Sequence, residues 1–368
     1  MNLMTLATVG CDWFYNGISS KIEKPHSLLF YVIESADWVI KQVGIDITTN
    51  LNNQKLLKTR TTTTYRGIHN QIIHLGSRNL FLSNTWKKID SSNKIVFTWY
   101  HGDKKDKNPD NLAMIKALPH ASKKADIVHT SCTISKKKLI EWGVPEDKIV
   151  VVPLGVDLNL FKAVTEAQKN TIRKELGLPL DKIIIGSFQK DGFGWGAGLE
   201  PKWVKGPDIF VDVIDKLKKD NDDIFVLLTG PARGYVKKEL DRIGVPYKHF
   251  FLKNYLVIPK YYNALDLYLV TSRVEGGPKA ILEAMATGIP VVSTKVGMAP
   301  DIIKEGYNGF LAEIGDVAAL SEKASKIIEN KYIANHLVKN ALKTVKDYSW
   351  EKIVKEYYEK IYKPFLNS

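Results

Sequence analysis

Two carboxylates, Glu275 and Glu283, bracket the run Gly276-Gly277-Pro278-Lys279. The paired glycines turn the chain, and Pro278 stands where a first helical residue tolerates a missing N–H. A helix that opens there presents backbone N–H groups and the positive end of its dipole, which together seat a phosphate. Gly276, Gly277, Pro278 and Lys279 are therefore the candidate phosphate seat. At about 1.5 Å of rise per residue, Glu283 lies roughly 8 Å along the helix from its start. A carboxylate accepts paired hydrogen bonds from a vicinal diol, as a ribose or a hexose presents. The spacing suits a ligand with phosphates at the helix start, a sugar on one side and a nucleoside on the other. Taken singly, Glu275 reads as a solvated loop charge and Glu283 as a surface helix charge. The double glycine and the proline between them point to a site.

The elements that must position these residues are legible around them. The apolar run Leu265 to Val270 supplies a strand, Gly288 stops the helix, and Pro290-Val291-Val292-Ser293 opens the next strand. Other predicted strands are Leu28 to Ile33, Gln71 to Leu75, Ile95 to Trp99, Ile127 to Thr130, Ile149 to Val152, Ile183 to Gly186 and Ile224 to Thr229. Helical periodicity lies between several of them: from near Ser35, with Trp38, Val39, Val43 and Ile47 on one face, then over Thr165 to Leu176 and Pro207 to Lys219. Alternating strands and helices argue for parallel sheets covered on both faces, the α/β class. Ligands of such sheets bind at the carboxyl ends of strands. That rule adds the turn Glu34 to Asp37, His101 beyond the strand ending at Tyr100, and Arg233 in the loop Gly230 to Gly234, where it would meet phosphate. Asp220-Asn221-Asp222-Asp223 has the look of a metal motif, but it precedes a strand by its amino end and reads as a solvated turn. Met1 to Pro25 is the least legible stretch, with Leu3 to Val9 expected as a strand.

The pattern of Glu275, two glycines, Pro278 and Glu283 resembles the signature of the glycogen-synthase-like retaining glycosyltransferases, family four. The likeness continues through Pro290 to Ser293, Gly297, Pro300 and Asn308-Gly309-Phe310-Leu311. It implies the GT-B fold, two Rossmann-like domains facing across a cleft, with the first glutamate on the donor sugar's hydroxyls and the second on the nucleotide ribose. A second stretch, Ser131 to Phe161, is similar to the family's passage out of its first domain, with Gly143-Val144-Pro145, Val150 to Pro153 and Gly155-Val156-Asp157; Leu154 stands where the family has asparagine. The implied organisation is an acceptor domain at 1–156, a nucleotide-sugar domain at 157–349 and a crossover helix at 350–368 that returns to the first domain. The resemblance is strong from Ser131 onward and weak before it, where the family's glycine pair after the first strand is missing.

The family places an arginine straight after a strand glycine and a lysine before a later glycine, both on the donor pyrophosphate. Lys205-Gly206 matches the lysine, Ser187 stands in place of the arginine, and Lys190 is expected to supply the missing cation. Fixed cations are needed because a nucleoside diphosphate leaves with growing negative charge. His101 corresponds to the family histidine that points at the donor sugar, and Phe250 to Tyr255 to the segment beside the base. The implied reaction transfers a hexose from a UDP- or GDP-sugar to a glycan or lipid-linked acceptor, with same-face attack, no divalent metal and no cofactor beyond the nucleotide-sugar co-substrate. A nucleotide-sugar epimerase, a phosphorylase and a non-catalytic partner subunit remain open as alternatives.

Lys and Arg total 53 against 40 Asp and Glu, a formal charge of +13. Such a balance fits nucleic acid, an anionic membrane surface or anionic substrates. Lys104-Lys105 and Lys136-Lys137-Lys138 lack interleaved aromatics, and no nucleic-acid reading module is present, so nucleic acid is not expected as a partner. Solvated faces remain, or a basic surface that leans on anionic headgroups and reaches a lipid-linked acceptor. No apolar run has the length of a membrane span and no secretory signal opens the chain, so a cytoplasmic protein, peripheral at the inner membrane face, is expected. Cys11 and Cys132 match no metal or redox spacing and read as reduced and structural.

Overall fold

Short runs such as Leu28–Val32, buried along their whole length, are what a parallel strand covered on both faces requires. The computed structural model describes residues 3–34, 39–81, 85–194 and 196–366. They fall into two units, one formed by the chain up to Leu154 together with Trp350 onward, the other by Gly155–Ser349.

In the first unit the order is α1 (Leu3–Ile22), β1 (Leu28–Val32), α2 (Val39–Asn53), β2 (Lys58–Thr62), β3 (Ile72–Leu75), β4 (Lys94–Thr98), α3 (Pro109–Lys124), β5 (Ile127–Thr130), α4 (Thr133–Glu141) and β6 (Ile149–Val151). The sheet runs β2-β1-β3-β4-β5-β6, parallel throughout. Strand order therefore reverses between β1 and β3, and such a switch point opens a crevice at the carboxyl ends. The core beneath it includes Phe30, Ile73, Phe97, Trp99 and Val128.

The second unit comprises α5 (Glu166–Leu176), β7 (Ile183–Phe188), α6 (Pro207–Asp220), β8 (Ile224–Thr229), α7 (Gly234–Arg242), β9 (Tyr247–Phe250), α8 (Ile258–Tyr262), β10 (Leu267–Val270), α9 (Lys279–Ala286), β11 (Val291–Thr294), α10 (Ala299–Ile302), β12 (Phe310–Ala312), α11 (Val317–Glu329) and α12 (Lys331–Thr344). Its sheet, β12-β11-β10-β7-β8-β9, is also parallel throughout. The order is that of a dinucleotide-binding sheet, with its switch point between β7 and β10. Helix α5 is set by a capping box in which Thr165 and Gln168 bond each other's backbone N–H, and Gly177 ends it in the left-handed conformation.

The tail, α13 (Trp350–Tyr357), a π turn (Tyr358–Tyr362) and α14 (Lys363–Leu366), belongs to the first unit. It buries Ile353, Val354, Tyr357, Ile361 and Tyr362. A buried polar chain stitches it to the sheet: Tyr362 OH lies 2.7 Å from His74 Nδ1, His74 Nε2 lies 2.6 Å from Thr98 Oγ1, and Thr98 Oγ1 lies 2.9 Å from His129 Nδ1.

Three expectations are corrected and one strand is added. Leu3 to Val9 is not a strand but the start of α1; its apolar residues lack a period of two, and no proline or paired glycine interrupts the chain before Ile22. Val39 is 47% exposed, because the buried face of α2 is formed by Val43, Gly44, Ile47, Thr48 and Leu51; the expected helix start at Ser35 and Trp38 lie outside the described residues. Strand β7 runs on to Phe188, which places Ser187 inside the strand. Strand β2, Lys-Thr-Arg-Thr-Thr, escapes an apolar search because it is a sheet edge with only Thr62 buried.

Candidate functional site

The switch point of the second sheet is where the sequence-distant residues meet. Beyond β7, a short helical turn Trp203–Lys205 ends at Gly206, which adopts φ 58°. A Cβ there would sit 2.1 Å from the Thr271 carbonyl oxygen, so only glycine allows this turn to lie against the end of β10. Arg273 and Val274 donate their N–H groups to the Val204 carbonyl at 2.9 and 3.1 Å, and Thr271 Oγ1 donates to the Gly206 carbonyl at 3.0 Å. Arg273 grips Asp208 with both guanidinium nitrogens, Nη1 at 2.7 Å from Oδ1. The two loops thus form one rigid edge. On it, Lys205 Nζ lies 2.5 Å from Glu275 Oε1. Ser272 Oγ donates to the same carboxylate oxygen at 2.9 Å.

The turn beyond Glu275 is braced from β11. Gly297 packs so closely that a Cβ would lie 2.4 Å from the Gly276 carbonyl oxygen, which accepts from Met298 N at 2.9 Å. Helix α9 begins at Lys279 with Pro278 at its cap position, and Ile289 N closes its far end on the Ala284 carbonyl at 2.8 Å, around Gly288 at φ 73°.

Glu283 is not a surface charge. It is 4% exposed, accepts from Tyr262 OH at 3.0 Å and from Tyr255 OH on its other oxygen, and has Lys279 Nζ at 4.0 Å. Lys279 also lies 5.3 Å over the Tyr255 ring. Burial without hydrogen bonds would be costly for a carboxylate, and the two phenols supply them. Tyr255, which sequence reasoning reached only as part of a segment, holds one of the two carboxylate oxygens.

Residues 199–344 match the family model described as glycosyl transferases group 1, and residues 41–160 match that of glycosyltransferase family 4. The chain belongs to glycosyltransferase family four. It is 28% identical over 190 residues, 49% of this chain and 51% of the other, to the lipopolysaccharide core biosynthesis mannosyltransferase LpsB of Rhizobium meliloti. It is 34% identical over 153 residues, 41% of this chain and 42% of the other, to an uncharacterized glycosyltransferase of Methanocaldococcus jannaschii. These matches span about half the length of each relative. In structure it is similar to Anabaena HepE, with a TM-score of 0.73 and 19% identity over 91% of this chain and 99% of that one.

Within this family-four chain the other expected residues are placed as follows. Arg233 is not an exposed loop arginine. It is 1% exposed; Nη1 donates to the carbonyls of Ser187, Thr229 and Gln189 at 2.6, 2.9 and 3.0 Å, and Nη2 to Ser187 Oγ at 3.2 Å. Its Nε lies 3.0 Å from Oδ1 of Asp191, whose carboxylate is fully buried and receives no well-directed hydrogen bond. Burial pushes the Asp191 carboxyl up, and the facing guanidinium only partly offsets it. Arg233 therefore ties the ends of β7 and β8 together and faces inward, while Lys190 follows directly on the clamped Gln189. Partial burial lowers the Lys190 ammonium.

In the first unit, His101 lies beyond β4 and its carbonyl accepts from Arg78 Nη1. Arg78 also donates to Asn111 Oδ1 at 3.1 Å and lies 5.7 Å over the Trp99 ring; burial lowers its guanidinium to about 10. At the β1–β3 switch point, Glu34 accepts from Ser77 and from Asn79 Nδ2, the latter at 2.9 Å. Sequence reasoning missed Arg78, Ser77 and Asn79, which follow β3. The signal available was their position after a strand at the sheet's switch point, which requires the strand order to be known.

Proposed function

We propose that the chain is a retaining hexosyltransferase that moves a sugar from a UDP- or GDP-sugar to a hydroxyl of a glycan or lipid-linked acceptor, in the cytoplasm at the inner membrane face. The observation that carries this reading is the Lys205–Glu275 contact at the β7–β10 switch point. It sets a cation for a departing diphosphate beside a carboxylate for sugar hydroxyls. The bond from the anomeric carbon to the diphosphate oxygen breaks, and the acceptor hydroxyl's oxygen bonds to the same face through an oxocarbenium-like state while its proton passes to the departing diphosphate oxygen. Lys205, Lys190 and the backbone N–H groups of Gly276 and Gly277 take up the charge of the leaving group, in place of a divalent metal. Glu275 orients the donor sugar and forms no covalent intermediate, and Glu283 holds the ribose. LpsB's name, with its lipopolysaccharide core and mannosyl transfer, supports a glycan-bearing lipid as acceptor, and the HepE complexes with UDP, glucose and UDP-glucose put UDP first among the donors to test.

The test is a thermal-shift panel of UDP, GDP, dTDP and ADP, each with and without EDTA. Binding to the folded state alone stabilises by about 2.7 kcal/mol at one hundred times the dissociation constant. A rise with one diphosphate that survives EDTA is expected, and no rise with any of them overturns the reading. Incubation of the matching nucleotide sugar with and without acceptor then separates transfer from epimerisation, which needs no acceptor.

A further inference from the structure

Helix α1 is turned inside out. Its polar residues Asp12, Asn16, Ser19 and Ser20, spaced to share one helical face, point inward. Asn16 is fully buried and donates to Thr62 Oγ1 and the Thr64 carbonyl, both at 3.1 Å. Asp12 accepts from Thr63 N at 2.9 Å and from Thr63 Oγ1 at 2.8 Å, and Ser19 accepts from Arg60 Nη1 at 3.2 Å. The opposite face, Phe14, Ile18 and Ile22 at successive turns, is 61%, 41% and 75% exposed. Trp13 and Tyr15 flank it at 55% and 52%. A helix at a water-facing surface normally carries the reverse arrangement.

We infer that this outward face of α1 is a docking surface for an anionic lipid bilayer, in which Phe14, Ile18 and Ile22 enter the headgroup and acyl boundary. Three observations favour a membrane over a protein partner. The basic groups on and around the helix are Lys21, Lys24, Lys58, Arg60 and Arg66, against Asp12 and Glu23, the latter paired with Lys58, which leaves the surround net positive. Tyr15 and Trp13 pair an apolar ring with a polar tip at the edges of the face, and Arg60 lies 5.4 Å over the Tyr15 ring. The residues of α1 before Asp12 carry no charge, so the uncharged length continues toward its start. An apolar stripe with basic flanks binds in the interface plane and does not span the bilayer. The polar contacts of the inner face hold α1 to β2, so the apolar stripe stays outward in the folded chain.

The inference does not depend on the donor reading, although it would bring a lipid-linked acceptor to the enzyme. Full-length protein is sedimented with vesicles of phosphatidylcholine alone and of phosphatidylcholine with phosphatidylglycerol. Binding to the anionic vesicles only, weakened by salt, is expected. Phe14→Ser with Ile18→Ser should weaken it on the order of tenfold or more, since binding scales with the apolar area buried. Lys21→Gln with Lys24→Gln should reduce it less. Because the substituted side chains are exposed, the UDP thermal shift of both variants should match that of the unsubstituted protein, which separates failure here from failure of the donor site. Absence of binding to anionic vesicles, or equal binding by the Phe14/Ile18 variant, overturns the inference. So does a concentration-dependent dimer that the same variant abolishes while vesicles are not bound, which would assign the face to a second copy of the chain.

Discussion

At the scale of single residues, the Lys205–Glu275 pair and the tyrosine-held Glu283 make separable predictions. Glu275→Gln keeps the shape of the side chain but loses the charge that Lys205 and Ser272 hold in place. Transfer should fall by about 10²-fold or more, as for other groups that act on transition-state charge, with the UDP thermal shift retained. Full activity in that variant would remove Glu275 from the reaction. Tyr255→Phe deletes the phenol on one oxygen of Glu283 and leaves Tyr262 as the other donor. Loss of a hydrogen bond to a buried charge should lower stability by about 1–3 kcal/mol. If the ribose takes the vacated oxygen, calorimetry should show UDP binding more tightly to this variant. Weaker UDP binding would take the ribose away from Glu283. The glutamates themselves were legible from the double glycine and proline between them. Tyr255 was not, because a phenol reaching a helix 28 residues ahead leaves no local pattern.

Elements carry the next level of argument. The ends of β7 and β8 are drawn together by Arg233, whose donors go to three carbonyls and whose Nε faces Asp191. Breaking a buried pair strands a charge, so Arg233→Met should cost about 3–5 kcal/mol in thermal or chemical unfolding. Asp191→Asn keeps the side chain's shape but leaves the buried Arg233 guanidinium without its counter-charge, so it should destabilise by a similar amount. A much smaller loss in Asp191→Asn than in Arg233→Met would mean that Arg233 works through its carbonyl contacts and not through Asp191. The sequence placed Arg233 after a strand and could assign it only to an open loop, because two of the carbonyls that consume it, Ser187 and Gln189, lie on and just beyond the neighbouring strand. It did place α6 and α9 correctly, since proline at the start and an apolar period of 3.6 are local signals.

Across the whole molecule, the tail and the first unit meet over two buried histidines. His74 lies well below its usual range and His129 is lowered to about 4, in both cases chiefly by burial. Both are neutral when folded, whereas the unfolded chain protonates them near the ordinary value of 6.5. The unfolded state therefore binds more protons as pH falls, and stability must fall with it. The contribution is fully present above about 6.5 and is lost down to about 4, roughly 3 kcal/mol for His129 alone. Unfolding measured between those limits should show this slope, and His129→Gln should flatten it. A tail that becomes protease-sensitive over the same interval would locate the transition. A slope unchanged by His129→Gln would assign it to other groups. Ser349-Trp350-Glu351 announced the tail helix in the sequence; the histidines beneath it, more than 200 residues earlier, gave no sign of their partners.

What the sequence by itself determined were the local conformations and the family resemblance: a parallel α/β chain, a glycine turn opening a helix, and two glutamates flanking that turn. The conformations follow from dihedral preference and period, which act over a few residues. Tertiary structure alone decided that Lys205 would meet Glu275 across 70 residues, that Arg233 would turn inward, and that α1 would bury its polar face and expose its apolar one. Periodicity defines a face but not its direction, and direction depends on what the neighbouring strand offers. For α1 that neighbour is the run Thr62-Thr63-Thr64 at and beyond the end of β2, whose hydroxyls, N–H and carbonyl bond Asp12 and the Asn16 amide nitrogen where an apolar side chain would leave them unpaired.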